Sequence, residues 1–102
     1  MGDRYELHEE LCEVLGSRNV YFQTPENVKM QYDAIRYSLG GKDLVRANNG
    51  VYRIINRYDG VVITRDPDTD IPDKLITRFR MFSLGTPYTA DSLNHYPFTL
   101  YY

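Results

Sequence analysis

The sequence predicts an α+β fold in which two helices pack on one face of a small antiparallel or mixed β-sheet. Two stretches show the spacing of apolar residues that is typical of amphipathic helices, and β-prone stretches lie between and after them. Helical and β-prone stretches do not alternate regularly, which argues against a parallel sheet of βαβ units. A length of 102 residues is typical of one domain, so residues 1–102 are predicted to form a single domain.

The first predicted helix begins after Asp3, an acidic residue suited to cap it. Its apolar side chains recur at helical spacing and form one stripe, which consists of Leu7, Leu11, Val14 and Leu15. Gly16 is expected to end this helix, because glycine readily adopts the left-handed conformation found at helix C-termini.

Two short β-prone stretches follow the first helix. Residues 19–22 predict one strand, and the alternation of residues 33–38 predicts a second. Gly40 and Gly41 are expected to end the second strand, because glycine weakens strands and favours turns.

The longest β-prone stretch spans residues 51–65. Residues 48–50, Asn-Asn-Gly, predict a tight turn before it, because Asn and Gly accept the positive φ that such turns need. Asp59 and Gly60 interrupt the stretch, as either a hairpin turn or a bulge within one long strand. The bulge is favoured because β-prone residues resume directly afterwards.

The second predicted helix follows a polar turn at residues 66–70. Thr69 or Asp70 is expected to cap it, and Pro72 fits its first turn, where no backbone hydrogen bond is lost. The inward face of this helix consists of Ile71, Leu75 and Phe79. The chain then continues through a β-prone stretch at residues 80–84, a turn at residues 85–87 and a final stretch at residues 98–102.

Composition and charge argue against several classes of protein. A formal net charge of −2, from 12 basic and 14 acidic side chains, argues against a nucleic-acid-binding protein that relies on a basic surface. No apolar stretch approaches the ~20 residues that span a bilayer, and the charged N-terminal residues do not resemble a signal peptide. The single cysteine, Cys12, cannot form an internal disulfide, so synthesis in a reducing cytoplasm is expected.

Asp66, Asp68 and Asp70 have the spacing that begins a calcium-binding loop. Such a loop also needs Gly at its sixth position and Glu at its twelfth. This sequence has Ile71 and Thr77 there. A solvated turn that leads into the second helix is therefore the better interpretation.

His8 and Cys12 lie four residues apart and would share one helix face as a thiol–imidazole pair. Core packing is favoured over nucleophilic catalysis, because Cys12 flanks the apolar stripe and a free cysteine is usually a small buried residue. His95 has no neighbouring Cys or His in the sequence with which to build a zinc site. We therefore predict no catalytic, cofactor-binding or metal-binding residues, and we do not expect an enzyme.

Several segments of the second half form one pattern, which consists of Tyr58 and residues 61–63, 65–68, 71–75, 88–95 and 98–102. The first half agrees more loosely, over residues 15–17 and 19–23 and at Pro25 and Met30. This pattern resembles the tail completion and tail terminator proteins of tailed bacteriophages, which are encoded among the head–tail joining genes. The resemblance covers most of the chain and includes no catalytic motif.

The resemblance implies an α+β subunit that assembles into a ring, commonly a hexamer, which caps the tail tube and meets the head connector. The expected partners are further copies of the chain, the tail tube protein and the head-connector or neck proteins, all within the virion. DNA would pass through such a ring without sequence-specific binding, and a modest negative charge suits a conduit that does not hold phosphates. No cofactor and no membrane is implied.

The C-terminal segment is the predicted contact region of this ring. The chain has ten tyrosines and no tryptophan, and tyrosine is enriched at protein–protein interfaces, although strands also favour it. Aromatic residues at the end of the chain are costly to expose, so we expect a strand that docks in its own sheet or on a neighbour. The candidate interface residues are Tyr88, Asp91, Asn94, His95, Phe98, Tyr101 and Tyr102.

Two alternatives remain open from the sequence. The nearest alternative to a tail terminator is a head-closure or adaptor ring of the phage neck, which the sequence does not distinguish from it because both are small rings that work through contacts. A non-viral binding module or an enzyme is less favoured.

Overall fold

The computed structural model describes residues 4–23, 29–47 and 50–102, with the backbone only at residues 43–47 and 51–53. The two helices are α1 (Arg4–Leu15) and α2 (Ile71–Arg78). The strands are β1 (Val20–Phe22), β2 (Ala34–Ala47), β3 (Gly50–Thr64), β4 (Phe82–Leu84), β5 (Tyr88–Ala90) and β6 (Leu93–Tyr101).

All six strands belong to one mixed sheet. Its order is β1-β2-β3-β6-β4, and β5 also pairs with β6. The pairs are antiparallel except for β1 and β2, which run parallel. The α+β prediction, with a mixed sheet and two helices on one face, is confirmed.

The core lies between the two helices and one face of the sheet. Neighbouring strands place Tyr37, Val62 and Leu100 on this face, and each of these side chains is at most 2% exposed. Leu7 and Leu11 of α1 and Leu75 of α2 pack against them from the helical side and are fully buried. Burial of each such side chain stabilises the fold by roughly 1.5–3 kcal/mol before entropy is counted.

Helix α1 follows its predicted stripe. Leu7, Leu11 and Val14 are buried and Leu15 is half-buried. Gly16 ends the helix with φ +82°, and its N–H donates to the Cys12 carbonyl at 2.9 Å. The predicted cap Asp3 lies outside the described residues.

Helix α2 also matches its predicted position. The Ile71 N–H donates to the Thr69 hydroxyl at 3.3 Å, whereas the Asp70 side chain makes no capping bond. Asp70 contributes its carbonyl instead, which accepts from the Lys74 N–H at 3.0 Å. Of the two capping residues that the sequence allowed, the structure therefore favours Thr69. Ile71, Leu75 and Phe79 are all buried, as predicted.

The glycines of the sheet do not have the structural effects that were predicted from the sequence. Strand β2 does not end at Gly40 and Gly41 but continues through them to Ala47, with a shift in register between Leu39 and Gly41. Gly40 lies at this register shift, where the Asp59 carboxylate of the neighbouring strand occupies the space that a side chain would take.

The single long strand predicted for residues 51–65 is confirmed, but the bulge predicted within it is not. Asp59 and Gly60 keep regular register with β2, opposite Ser38 and Tyr37. Gly60 is needed for space, because a Cβ there would collide with the Phe98 ring. Within the predicted turn before this strand, Asn48 and Asn49 lie outside the described residues, while Gly50 pairs with Ala47.

The two short strands β4 and β5 follow one another in the same direction along one edge of β6. Residues 85–87, which were predicted to form a turn, interrupt the pairing without reversing the chain, and the Gly85 N–H still donates to the Pro97 carbonyl. β5 and β6 form a hairpin closed by Asp91 and Ser92, which have φ values of 52° and 64°. Positive φ at both central residues is the conformation of a type I′ turn, which usually contains glycine.

Candidate interaction surfaces

Four of the seven candidate interface residues lie around the β5–β6 hairpin. The rings of Tyr88 and His95 stack with centroids 4.7 Å apart, and Tyr88 remains 51% exposed. Asp91 is exposed at the turn, and the Asn94 amide donates to the Thr64 carbonyl at 3.4 Å. These residues form a surface at the end of the sheet where β3 finishes.

The other three candidate residues lie further along β6 and are integrated into the protein. Phe98 is 3% exposed and stacks on Phe82 with centroids 5.2 Å apart, so it packs in the core and presents no surface to a partner. Tyr101 and Tyr102 are half-buried, and their N–H groups donate to the carbonyls of Met81 and Asn56. The C-terminal strand therefore docks in its own sheet, which was one of the two predicted arrangements.

Tyr102 also joins the two helices through a polar network. Its hydroxyl donates to the Glu10 carboxylate, while Arg78 donates to Glu10 at 2.9 Å and to Glu13 at 2.7 Å. Burial alone would raise the pKa of Glu10, but the hydrogen bonds from Tyr102 and Arg78 and the charge of Arg78 outweigh it and lower that pKa. The network favours the ionised carboxylate and ties α1 to α2.

The His8–Cys12 pair does not form an activated nucleophile. The His8 imidazole Nδ1 lies 2.8 Å from the Tyr37 hydroxyl, and burial together with the charges of Arg4 and Arg18 lowers the pKa of His8. Cys12 is 6% exposed, and burial raises the pKa of its thiol. A buried thiol with a raised pKa has little thiolate, so the structure supports core packing for Cys12.

Residues 66–73, which we call the acidic segment, contain four exposed carboxylates, at Asp66, Asp68, Asp70 and Asp73. The Asp68 N–H donates to the Asp66 carboxylate at 2.9 Å, which is the pattern of a polar turn. Among the described residues, no group of three or more His, Cys, Asp or Glu side chains is arranged to hold a metal ion.

The largest feature that the sequence interpretation missed is a two-stranded arm, formed by residues 42–47 of β2 and 50–56 of β3. Strand β6 pairs with β3 as far as Arg57, and the Tyr102 N–H reaches the Asn56 carbonyl. Beyond that point, in the part of the chain that the structure describes, β2 and β3 pair only with each other. At the usual rise per residue the arm extends roughly 20 Å past the sheet.

The side chains that the structure describes near and within the arm are partly or largely exposed. Leu39 at its base is 39% exposed and Ile54 within it is 41% exposed, while Ile55 and Asn56 are half-buried. None of the described side chains of the arm belongs to the buried core that stabilises the rest of the sheet.

The signal for the arm was present in the sequence. β-prone residues continue after Gly41 and resume at Val51, on either side of an Asn-Asn-Gly turn, which is the pattern of a long hairpin. The two glycines concealed it, because they suggested a strand end instead of a bulge.

Charge is distributed unevenly along the molecule. The arm carries Lys42, Arg46 and Arg53 against Asp43, a formal net charge of +2, so the remainder of the chain carries −4. The acidic segment begins just after Thr64, at the far end of β3 from the tip of the arm. The molecule is 50 Å long and 27 by 23 Å across, and the 15-residue β3 spans nearly all of that length.

No protein-family model matches this chain, and no curated protein matches it either. Within residues 4–23, 29–47 and 50–102 no helix is long and apolar enough to cross a membrane.

Proposed function

We propose that this chain is a structural virion protein of a tailed bacteriophage, a tail terminator or tail completion subunit that forms a hexameric ring at the head–tail interface. The resemblance over the second half of the sequence motivates the proposal. The observation that carries it is the arm, whose two strands pair only with each other in the part of the chain that the structure describes and whose Ile54 is 41% exposed.

The physical argument is one of stability. An isolated two-stranded hairpin is marginally stable in water, and its outer edges present unpaired N–H and C=O groups. A second molecule that covers the arm removes both costs. Contacts that join different surfaces of identical subunits close into a ring when the rotation between subunits is suitable.

The ring would meet the tail tube protein on one side and head-connector or neck proteins on the other. The outward faces of β4 and β5, with Leu84 at 41% and Tyr88 at 51% exposure, offer apolar surface for such contacts. The excess of acidic residues outside the arm suits a wall past which DNA moves without binding.

The test is the composition and reconstruction of purified phage particles. We expect the chain in intact virions as a ring between head and tail tube, in several copies per particle. Density next to the portal, separated from the tail tube, would instead indicate a head-closure or adaptor ring. A chain that is absent from purified particles would contradict the proposal.

A further inference from the structure

We infer that the arm of one copy binds the acidic segment of the next copy, so that the basic arm is the element that joins subunits head to tail. This inference rests on the proposed function only in assuming that copies of the chain associate. It adds which two surfaces meet and what chemistry holds them together.

The first step is that the two charged regions cannot neutralise each other within one molecule. The arm lies at one end of the 50 Å long axis, and the acidic segment follows the opposite end of β3. Screening at physiological ionic strength reduces charge interactions beyond about 8 Å. Their complementarity is therefore only satisfied between molecules.

The second step is that the acidic segment has unused charge. Asp70 pairs with Lys74 at 3.6 Å, and within the described ranges no ion pair is formed by Asp66, Asp68 or Asp73. Asp91 is exposed on the hairpin at the same end of the sheet, where Asn94 contacts Thr64. The receiving end thus presents several carboxylates to a basic partner.

The third step is that the contact is compatible with closed assembly. The arm and the acidic segment are different surfaces, so each copy can both donate an arm and receive one. Head-to-tail contacts of this kind close into a ring when the rotation between copies is suitable, and no arm is then left uncovered.

Charge reversal tests this contact by sedimentation velocity on the purified full-length chain. One variant reverses the arm (Lys42→Glu, Arg46→Glu, Arg53→Glu), and a second reverses the acidic segment (Asp66→Lys, Asp68→Lys, Asp73→Lys). We expect each to weaken self-association by at least about a hundredfold, because like charges then face each other. A chain that carries both sets should associate again, since the complementarity is restored with opposite sign.

Two controls separate this effect from loss of folding or from net charge. The first control is a triple variant at exposed positions outside the arm, Lys29→Glu, Arg36→Glu and Arg80→Glu. It changes the net charge by the same amount as reversal of the arm, so it should associate like the wild type. Replacement of residues 43–55 by Asn-Gly joins the paired residues Lys42 and Asn56, and should yield a folded monomer by circular dichroism.

Association that survives reversal of the arm overturns the inference, as does a wild-type chain that stays monomeric at high micromolar concentration. Loss of association in both reversed variants without recovery in the combined variant also overturns it. If rings persist in virions while arm reversal has no effect, the proposed function stands and only this contact is wrong. If arm reversal blocks incorporation into particles without affecting self-association, the arm binds another phage protein.

Discussion

The helix-covered part of the sheet and the arm are formed by the same two strands, yet they are stabilised differently. Around Val62 the strand β3 is paired on both sides, with β2 and with β6, and helices α1 and α2 bury the inner face of the sheet. Around Ile54 two strands pair alone, and the side chain is 41% exposed. Continuous hydrogen bonding along a strand therefore does not make it uniformly stable, because most of the stability comes from apolar burial.

The largest expected difference in stability between the two regions comes from truncation of one apolar side chain in each. Leu100→Ala removes a fully buried side chain beneath the helices and is expected to cost about 2–5 kcal/mol of unfolding free energy. Ile54→Ala in the arm should cost less than about 1 kcal/mol in the monomer, because its side chain already contacts solvent. Urea unfolding at a concentration where the chain is monomeric measures both. Equal losses would show that the arm is part of the core.

A glycine in each region provides the next test. Gly60→Ala places a methyl group against the Phe98 ring and the Arg36 carbonyl, and overpacking of this kind costs about 1–3 kcal/mol. Gly41→Ala, at the base of the arm, is the matched control. Its new methyl group would lie 3.3 Å from the flexible end of Arg57, which can move aside, so little loss is expected.

Thermal unfolding of the two glycine variants measures the difference. A similar loss of stability in both variants would mean that the two substitutions act through the conformation of the strand backbone. It would show that Gly60 is not required to leave space for the Phe98 ring. Phe98→Leu combined with Gly60→Ala should recover part of the loss, because the smaller side chain leaves room for the methyl group.

The same contrast explains which parts of the structure could be predicted from the sequence. Leu7, Leu11 and Leu75 were identified because burial on one helix face imposes a periodic pattern that is visible in one segment alone. The role of Gly60 depends on Phe98, which lies 38 residues away in the chain, and no local pattern contains that relation. Local rules therefore located the helices correctly and misplaced the bulge.

The candidate surfaces show the same limit. Asp91 and Tyr88 were identified as candidate interface residues and are exposed, whereas Phe98 was grouped with them and is buried. Alternation along β6 distinguishes the two faces, but only the position of the helices tells which face is covered. The hairpin of the arm was missed because Gly40 and Gly41 suggested a strand end, and the point where the arm leaves the sheet depends on where β6 ends, at Tyr101.

The polar network that joins the helices predicts a dependence of stability on pH. The pKa of Glu10 is lowered in the folded protein, so its contribution is present above the unfolded-state pKa near 4.5 and is lost as the pH falls through the folded-state pKa. Glu10→Gln should cost less than about 1 kcal/mol at pH 7, and the difference from the wild type should shrink toward pH 3. Unfolding in urea at both pH values measures it.

Tyr102→Phe is the matched variant, because it removes the hydroxyl that donates to Glu10 and keeps the ring that packs 6.1 Å from Phe79. We expect it to raise the pKa of Glu10, as followed by carboxyl NMR titration. An unchanged pKa would mean that Arg78 alone sustains the shift. The arm should be unaffected by either variant, because the network lies at the helices.

The smallest expected effect is at the turn that closes the β5–β6 hairpin. Ser92 has φ 64°, a conformation that costs a non-glycine residue about 1–2 kcal/mol, whereas glycine adopts it freely but loses more backbone entropy on folding. Ser92→Gly should therefore stabilise the monomer by about 0.5 kcal/mol. Ser83→Gly, in the middle of β4, should instead destabilise it by about 0.5–1 kcal/mol, because glycine weakens a strand. Thermal unfolding of both variants checks the opposite signs, and destabilisation by Ser92→Gly would show that the serine side chain, not the backbone conformation, determines the stability of this turn.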